Sequence, residues 1–409
     1  MKRINLIARI GLFALILGLG TFSALIVGET KGLALADLSG VPVRALAATT
    51  HGDVLYAALD GGRQGAGIYR SEDNGNTWLR MGSGPGVAIS ALATHPTKDT
   101  LLYAGAAGGP AATRDSLWLS HDGGWTWRPS RLGLPTGPDG FLPAVSALAV
   151  DPQQPGVLYV GTDGHGVYRF DFELSRYGYE LMGGVSLYRA HVNSLVVGPG
   201  GKVYALTNDG FFVAEGNAWQ QLSLPEMAAS VAVAPAVASD DAQTLYVGSV
   251  STGIYRSTDG GETWVAVNNG MEIVPGAALR VTALAVDDGN PDHVLAATSY
   301  GVGTKFAPDG IYESSDGGQN WTRLADAEDM VTRLTLNRGA IYATMQGGLA
   351  HYGEPGKSSQ GTAYPRLRSL AKPNGVQVLI LALTVSLAAL ALVGRTEWVL
   401  HRKAQAASS

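Results

Sequence analysis

Seven short apolar segments recur along the chain: VRALAA (43–48), ISALAT (89–94), VSALAV (145–150), VNSLVV (192–197), AASVAV (228–233), VTALAV (281–286) and VTRLTL (331–336). Their starts lie 46, 56, 47, 36, 53 and 50 residues apart. Each is followed by a polar turn and a second segment, such as DVLYAAL, TLLYAGA, GVLYVGT or GAIYATM. Most units then carry a third: GIYRS at 67–71 and 253–257, GVYRF at 166–170, GIYES at 310–314. The segments are β-branched or aromatic, are bounded by Gly, Asp and Pro, and nowhere show a helical period. Four strands every 40 to 50 residues are the mark of a propeller blade. The pattern therefore predicts an all-β, seven-bladed β-propeller with four-stranded blades over residues 37–355. The last unit shows three strands up to Tyr352. Its fourth is expected either from the segment just before Val43 or from residues around 361–369.

The ends follow another pattern. Lys2, Arg3 and Arg9 precede an apolar run from Ile10 to Val27 that no charge interrupts, and Ala34 and Ala36 form a small-x-small cleavage pattern before Asp37. Residues 1–36 read as a signal peptide or an N-terminal membrane anchor. A second run, Val376–Val393, is interrupted only by Gln377, Thr384 and Ser386, and Arg395, His401, Arg402 and Lys403 follow it. It reads as a transmembrane helix over 376–394, after a polar basic linker at 356–375 and before a cytoplasmic tail at 395–409. One hydrophobic helix thus flanks the propeller on each side. The N-terminal charges place residue 1 inside, so the expected location is the cell membrane with the propeller outside the cytoplasm.

An eight-residue frame precedes four of the fourth strands: SEDNGNTW (71–78), SHDGGWTW (120–127), STDGGETW (257–264) and SSDGGQNW (314–321). Folding alone explains these residues. Asp73, Asp122, Asp259 and Asp316 can accept hydrogen bonds from N–H groups two or three residues on. Gly75, Gly124, Gly261 and Gly318 can supply positive φ. Thr77, Thr126 and Thr263 start the returning strand, and Trp78, Trp127, Trp264 and Trp321 can bury a ring between blades. Ser71, Ser120, Ser257 and Ser314 open each frame. A calcium loop would need six to eight oxygens from one neighbourhood, and a frame offers one fixed carboxylate. The frame decays to AEGNAW (214–219) in the fourth unit and is replaced by FDFELSRYGYEL (170–181) in the third.

Ser-x-Asp-x-Gly-x-Thr-Trp resembles the Asp-box, or bacterial neuraminidase repeat. That box occurs in sialidases, sortilin-type receptors, xyloglucan-cleaving propeller enzymes and photosystem II assembly factors. The resemblance covers roughly residues 38–355 and implies a propeller, whereas function varies across its members. A sialidase would need an arginine triad, a Tyr–Glu pair, an acid–base Asp and, usually, an Arg-Ile-Pro motif, which is missing here. Arg44, Arg280 and Arg333, at or beside first strands, could make a triad or could line the channel wall.

With 409 residues, a net charge of −5 and no long basic run, nucleic acid is not an expected partner. The absence of cysteine removes disulfides and zinc–thiolate sites. The eight histidines show no metal spacing, so neither a metal nor a cofactor is expected. Asp60, Asp115, Asp163, Asp209 and Asp309 sit in second-to-third-strand connections, as turn residues or as glycosidase carboxylates. Three connections look long: 60–67, 105–116 and 299–310. Their non-turn residues Arg63, Arg114, Tyr300, Lys305 and Phe306, with His165 in a neighbouring loop, make a candidate ligand face. The expected function is a non-catalytic binding or assembly module for a protein or glycan. A glycoside hydrolase of the sialidase or xyloglucanase type is the alternative.

Overall fold

The computed structural model describes residues between 34 and 352, excluding 50–53, 61–65, 108–114, 135–141, 173–178, 234–243 and some shorter stretches. Both apolar end segments and the basic linker, with Arg366, Arg368 and Lys372, lie outside the described residues. Among the described residues no helix is long and apolar enough to cross a membrane.

The described chain is all-β, in seven successive antiparallel meanders. Their first strands are Val43–Ala48, Ile89–Thr94, Val145–Val150, Tyr188–Val197, Ala228–Val233, Ala278–Asp287 and Val331–Asn337. The third and fourth meanders join into one eight-stranded sheet, because Val157–His165 runs on to pair with Tyr188–Val197. Each first strand packs against the first strand of the next meander, and Val331–Asn337 packs against Val43–Ala48. The first strands therefore surround an axis, in the propeller-type arrangement that the strand pattern predicts.

The last meander shows three strands. The segment before Val43 does not complete it. Ala34–Leu35 instead pairs with Trp78–Arg80, on the outer edge of the first meander's own sheet. A strand from 361–369 would lie outside the described residues. The expected long loop at 299–310 is also different. Asn290–Val302 and Lys305–Ser314 stay paired out to Val302↔Lys305, forming a projecting ribbon with a tight tip. Its Gly, Pro and Asp residues suggest a loop, yet paired backbone satisfies its N–H and C=O groups as far as the tip.

Apolar burial falls into seven clusters, one at each seam between meanders. Tyr103 and Leu117, for example, meet Val145 and Val160, and Ala340 and Tyr342 meet Val43, Leu55 and Trp78. In six meanders the second strand contributes a buried tyrosine (Tyr56, Tyr103, Tyr159, Tyr204, Tyr246 and Tyr342). A repeat of this kind draws its stability from its neighbours.

Two further regularities set the spacing. Every first strand carries a register shift at the second position of its recurring segment, which leaves Arg44, Ser90, Ser146, Asn193, Ala229, Thr282 and Thr332 as bulge residues. Just past the bulge, a cross-strand pair faces the next meander: Ala45/Ala58, Ala91/Gly105, Ala147/Gly161, Ser194/Leu206, Ser230/Gly248, Ala283/Ala297 and Arg333/Thr344. Five pairs are built from Gly, Ala and Ser alone. A Cβ on Gly105 would stand 2.3 Å from Val145 Cγ1, and one on Gly248 would stand 2.5 Å from Val281 Cγ1. The small residue is thus the socket for the next meander's valine. The fourth meander reverses the sizes, with Leu206 in the second strand and Ala228 opening the next first strand. First strands approach each other less closely at two seams, fourth–fifth and seventh–first. These are the seams with Leu206 and with Arg333/Thr344.

Candidate functional site

The four boxes share one geometry. In the first, Ser71 Oγ donates to Asp73 Oδ1 (2.8 Å), Gly75 N donates to Ser71 Oγ (2.8 Å), and Thr77 N donates to Asp73 Oδ1 (2.8 Å). Ser120, Asp122, Gly124 and Thr126 repeat it, as do Ser257, Asp259, Gly261 and Thr263. In the fourth, Asn320 replaces the threonine and donates from its backbone and side chain to Asp316, while Gly318 N donates to Ser314 Oγ. The carboxylate thus takes an N–H four residues on, not two or three. Consecutive left-handed residues bring that amide round: Asn74 (φ 58°) and Gly75 (φ 81°) in the first box, and glycine pairs in the others. Hydrogen bonds from Asn320 and Ser314 hold Asp316 at about 2, below its ordinary 3.8. Thr263 and Ser257 likewise hold Asp259 low. For Asp73 and Asp122 burial acts upward, and bonds from the threonine and serine outweigh it.

The tryptophans differ in depth. Trp78 and Trp321 are buried, whereas Trp127 and Trp264 are only partly so. Trp78, Trp127 and Trp264 donate from Nε1 to their own box glycine's carbonyl, and Trp321 donates across the seam to Val267 O (2.8 Å). In the decayed fourth box Trp219 donates to Met182 O. The boxes are occupied with closing their own turns and filling seams.

The carboxylates in second-to-third-strand connections divide. Asp60 is bonded by Arg44, and Asp163 is 2.7 Å from His191. Asp309 is buried, accepting from Thr298, Tyr312 and Arg323. Asp115 is half-buried, and its carbonyl accepts from Trp118. Asp209 is exposed, and no ion pair to it occurs among the described residues.

Of the candidate ligand face, Arg63 and Arg114 lie outside the described residues. His165 is half-buried beside Tyr188, with ring centroids 5.7 Å apart. Tyr300 donates to Glu272 O. Lys305 and Phe306 are exposed on the ribbon, where Phe306 lies under the Arg280 guanidinium at 5.1 Å. Among the described residues no contact joins His165 to Tyr300, Lys305 or Phe306. Arg44, Arg280 and Arg333 share no partner among the described residues: Arg44 holds Asp60, and Arg280 lies over Phe306.

A cavity of about 980 Å³ opens instead at the fourth–fifth seam. Asn193, Asn208, Asp209, Gln221, Glu226 and Arg280 supply its main polar groups, Thr332 closes it from the seventh meander, and Leu206 and Ala228 lie in its wall. It lies among second-to-third-strand turns and fourth-to-first connections. Met227, 67% exposed, stands in its lining. Phe211, its one aromatic lining residue, is fully buried. Asn193 and Thr332 are bulge residues, and the second position of the first segments, polar in six of seven, is the signal for them. Among the described residues no group of His, Asp and Glu is arranged to hold a metal ion.

A separate ionic group stands in the sixth meander. His293 Nε2 lies 2.7 Å from Glu313, and Nδ1 lies 3.0 Å from Asp287. The bond to Glu313 raises its pKa above 6.5, burial opposes this, and Asp287 adds to the rise. Its stabilisation is fully present below pH 6.5 and is lost as pH rises through the raised value. Thermal unfolding between pH 5.5 and 8.5 should show the wild type losing stability relative to His293→Gln; parallel curves would refute it. The box aspartates act at the other end. Their contribution is present above pH 3.8 and is lost as pH falls through their lowered values, about 2 for Asp316.

The fold is thus of the propeller type, with a polar cavity at one seam. The sequence matches no family profile. It is 31% identical over 231 residues to a xyloglucanase of a Paenibacillus species, covering 53% of this chain and 20% of that protein. With xyloglucanase Xgh74A of Acetivibrio thermocellus it shares 28% over 239 residues, 24% of that protein. The chain therefore spans about a fifth to a quarter of the curated relatives it matches. Among solved structures, the GH74 enzyme of Niastella koreensis superposes with a TM-score of 0.58 at 16% identity, over 80% of this chain and 55% of that one. YCF48 bound to D1 peptide superposes with a TM-score of 0.54 at 14% identity, over 78% and 95%. At these identities the structural likeness is one of fold.

Proposed function

We propose that this protein is a seven-bladed β-propeller of the Asp-box kind, held at a membrane by its apolar end segments and displayed outside the cytoplasm. It binds a protein or glycan partner without transforming it. The observation that carries this reading is the cavity at the fourth–fifth seam, concave and lined by amides, hydroxyls, two carboxylates and one arginine. Arginine pairing of Asp60 and Asp309, and the contact of Asp163 with His191, support a non-catalytic role for those three carboxylates. The lining lacks an exposed ring on which a sugar could stack, which favours a peptide chain over a glycan. That YCF48 was solved with a peptide is in keeping with this. The test is a pull-down with the full chain, comparing wild type with Asn193→Arg, which fills the cavity. Recovery of the wild type's partner should fall by about tenfold or more; undiminished recovery would sink the reading.

Hydrolysis of a β-glucan is the second reading. It is supported by the xyloglucanase similarity and by Asp209 and Glu226 lining one cavity. Turnover of xyloglucan that disappears in Asp209→Asn would establish it, and inert protein with intact partner binding would dispose of it.

A further inference from the structure

The seventh–first seam is built differently from the other six. At the position just past the bulge the other meanders carry Ala45, Ala91, Ala147, Ser194, Ser230 and Ala283, and the seventh carries Arg333. Arg333 is exposed to solvent on the innermost strand of its meander. An exposed side chain there faces the axial space that the first strands surround. Desolvation lowers its pKa with no carboxylate offsetting it. The contrast is Arg323, which bonds Asp309, Glu272 and Asp326. Among the described residues the Arg333 guanidinium has no hydrogen-bond or ion-pair partner.

A second unpaired donor stands beside it. Thr344 is directly opposite Arg333 in the ladder, so both side chains leave the same face of the sheet. Its hydroxyl is buried and has no partner. The opposing Arg44 is already neutralised by Asp60. A free guanidinium and a buried, orphaned hydroxyl on one face form a donor set that lacks an acceptor, and leaving the hydroxyl unmet is costly.

We infer that Arg333 and Thr344 form an anion site in the axial channel, taking a small carboxylate-type group. That group is either a free anion or an acidic side chain presented by a partner. The inference does not rest on partner binding at the cavity. Thermal unfolding of the full chain, with formate titrated at constant ionic strength against bulky gluconate, reads it directly. Wild-type Tm should climb with the logarithm of formate concentration. Arg333→Ala, which installs the residue found in four other meanders, should fold and lose the climb, and Arg333→Lys should retain part of it. Arg44→Gln should leave the climb intact. The peptide Gly-Glu-Gly serves as the second arm: a climb with formate alone assigns a free anion, and a climb with both admits a protein carboxylate. No climb in the wild type, or an equal one in Arg333→Ala, would overturn the site.

Discussion

Trp78→Ala is expected to lose about 3–5 kcal/mol of stability, with a large fall in Tm and an earlier denaturant midpoint. The indole is fully buried in the seventh–first seam, among Val43, Leu55 and Tyr342, and its Nε1 donates to Gly75 O at 2.9 Å. Truncation would empty a space bounded by two meanders, and neither can move in without leaving its other neighbour. Trp264→Ala should cost clearly less, since that ring is only half-buried. Equal losses at the two positions would show that depth in the seam does not control the effect.

Gly105→Leu should destabilise by about 3 kcal/mol, at the upper end of overpacking penalties. Its Cβ alone would stand 2.3 Å from Val145 Cγ1 and 2.6 Å from Val145 Cβ, before the rest of the side chain is placed. Gly105→Leu combined with Val145→Ala recreates the sizes found naturally at Leu206 and Ala228, and should recover a substantial part of the loss. A double-mutant cycle in urea measures the recovery. Strict additivity of the two changes would refute the socket.

The strands were legible because short apolar segments, bounded by turn residues, recur every 36 to 56 residues. The box was legible for a related reason: its Ser, Asp, Gly and Trp answer to one another within eight residues. What escaped was whatever depends on distant residues meeting. Asn193 and Gln221 come from the fourth meander, Arg280 from the sixth and Thr332 from the seventh, and nothing local in the sequence joins them. The ribbon at 299–310 was misread because composition registers Gly and Pro but not cross-strand pairing. The segment before Val43 could be seen as a spare strand, but its pairing with Trp78–Arg80 depends on which edge lies open. The size alternation at the seams was visible as a column of Gly, Ala and Ser, and it acquires meaning only once the neighbouring valine is located.

The two loosely joined seams divide the circle into an arc of four meanders and an arc of three. A closed loop of rigid pieces cannot gape at one joint alone, so yielding at Leu206 has to be matched at Arg333. The molecule should therefore flex like a pair of jaws, with the fourth–fifth cavity and the seventh–first channel wall widening in step. Backbone amides flanking both joints should exchange with deuterium at a common rate, faster than those at the five tight seams.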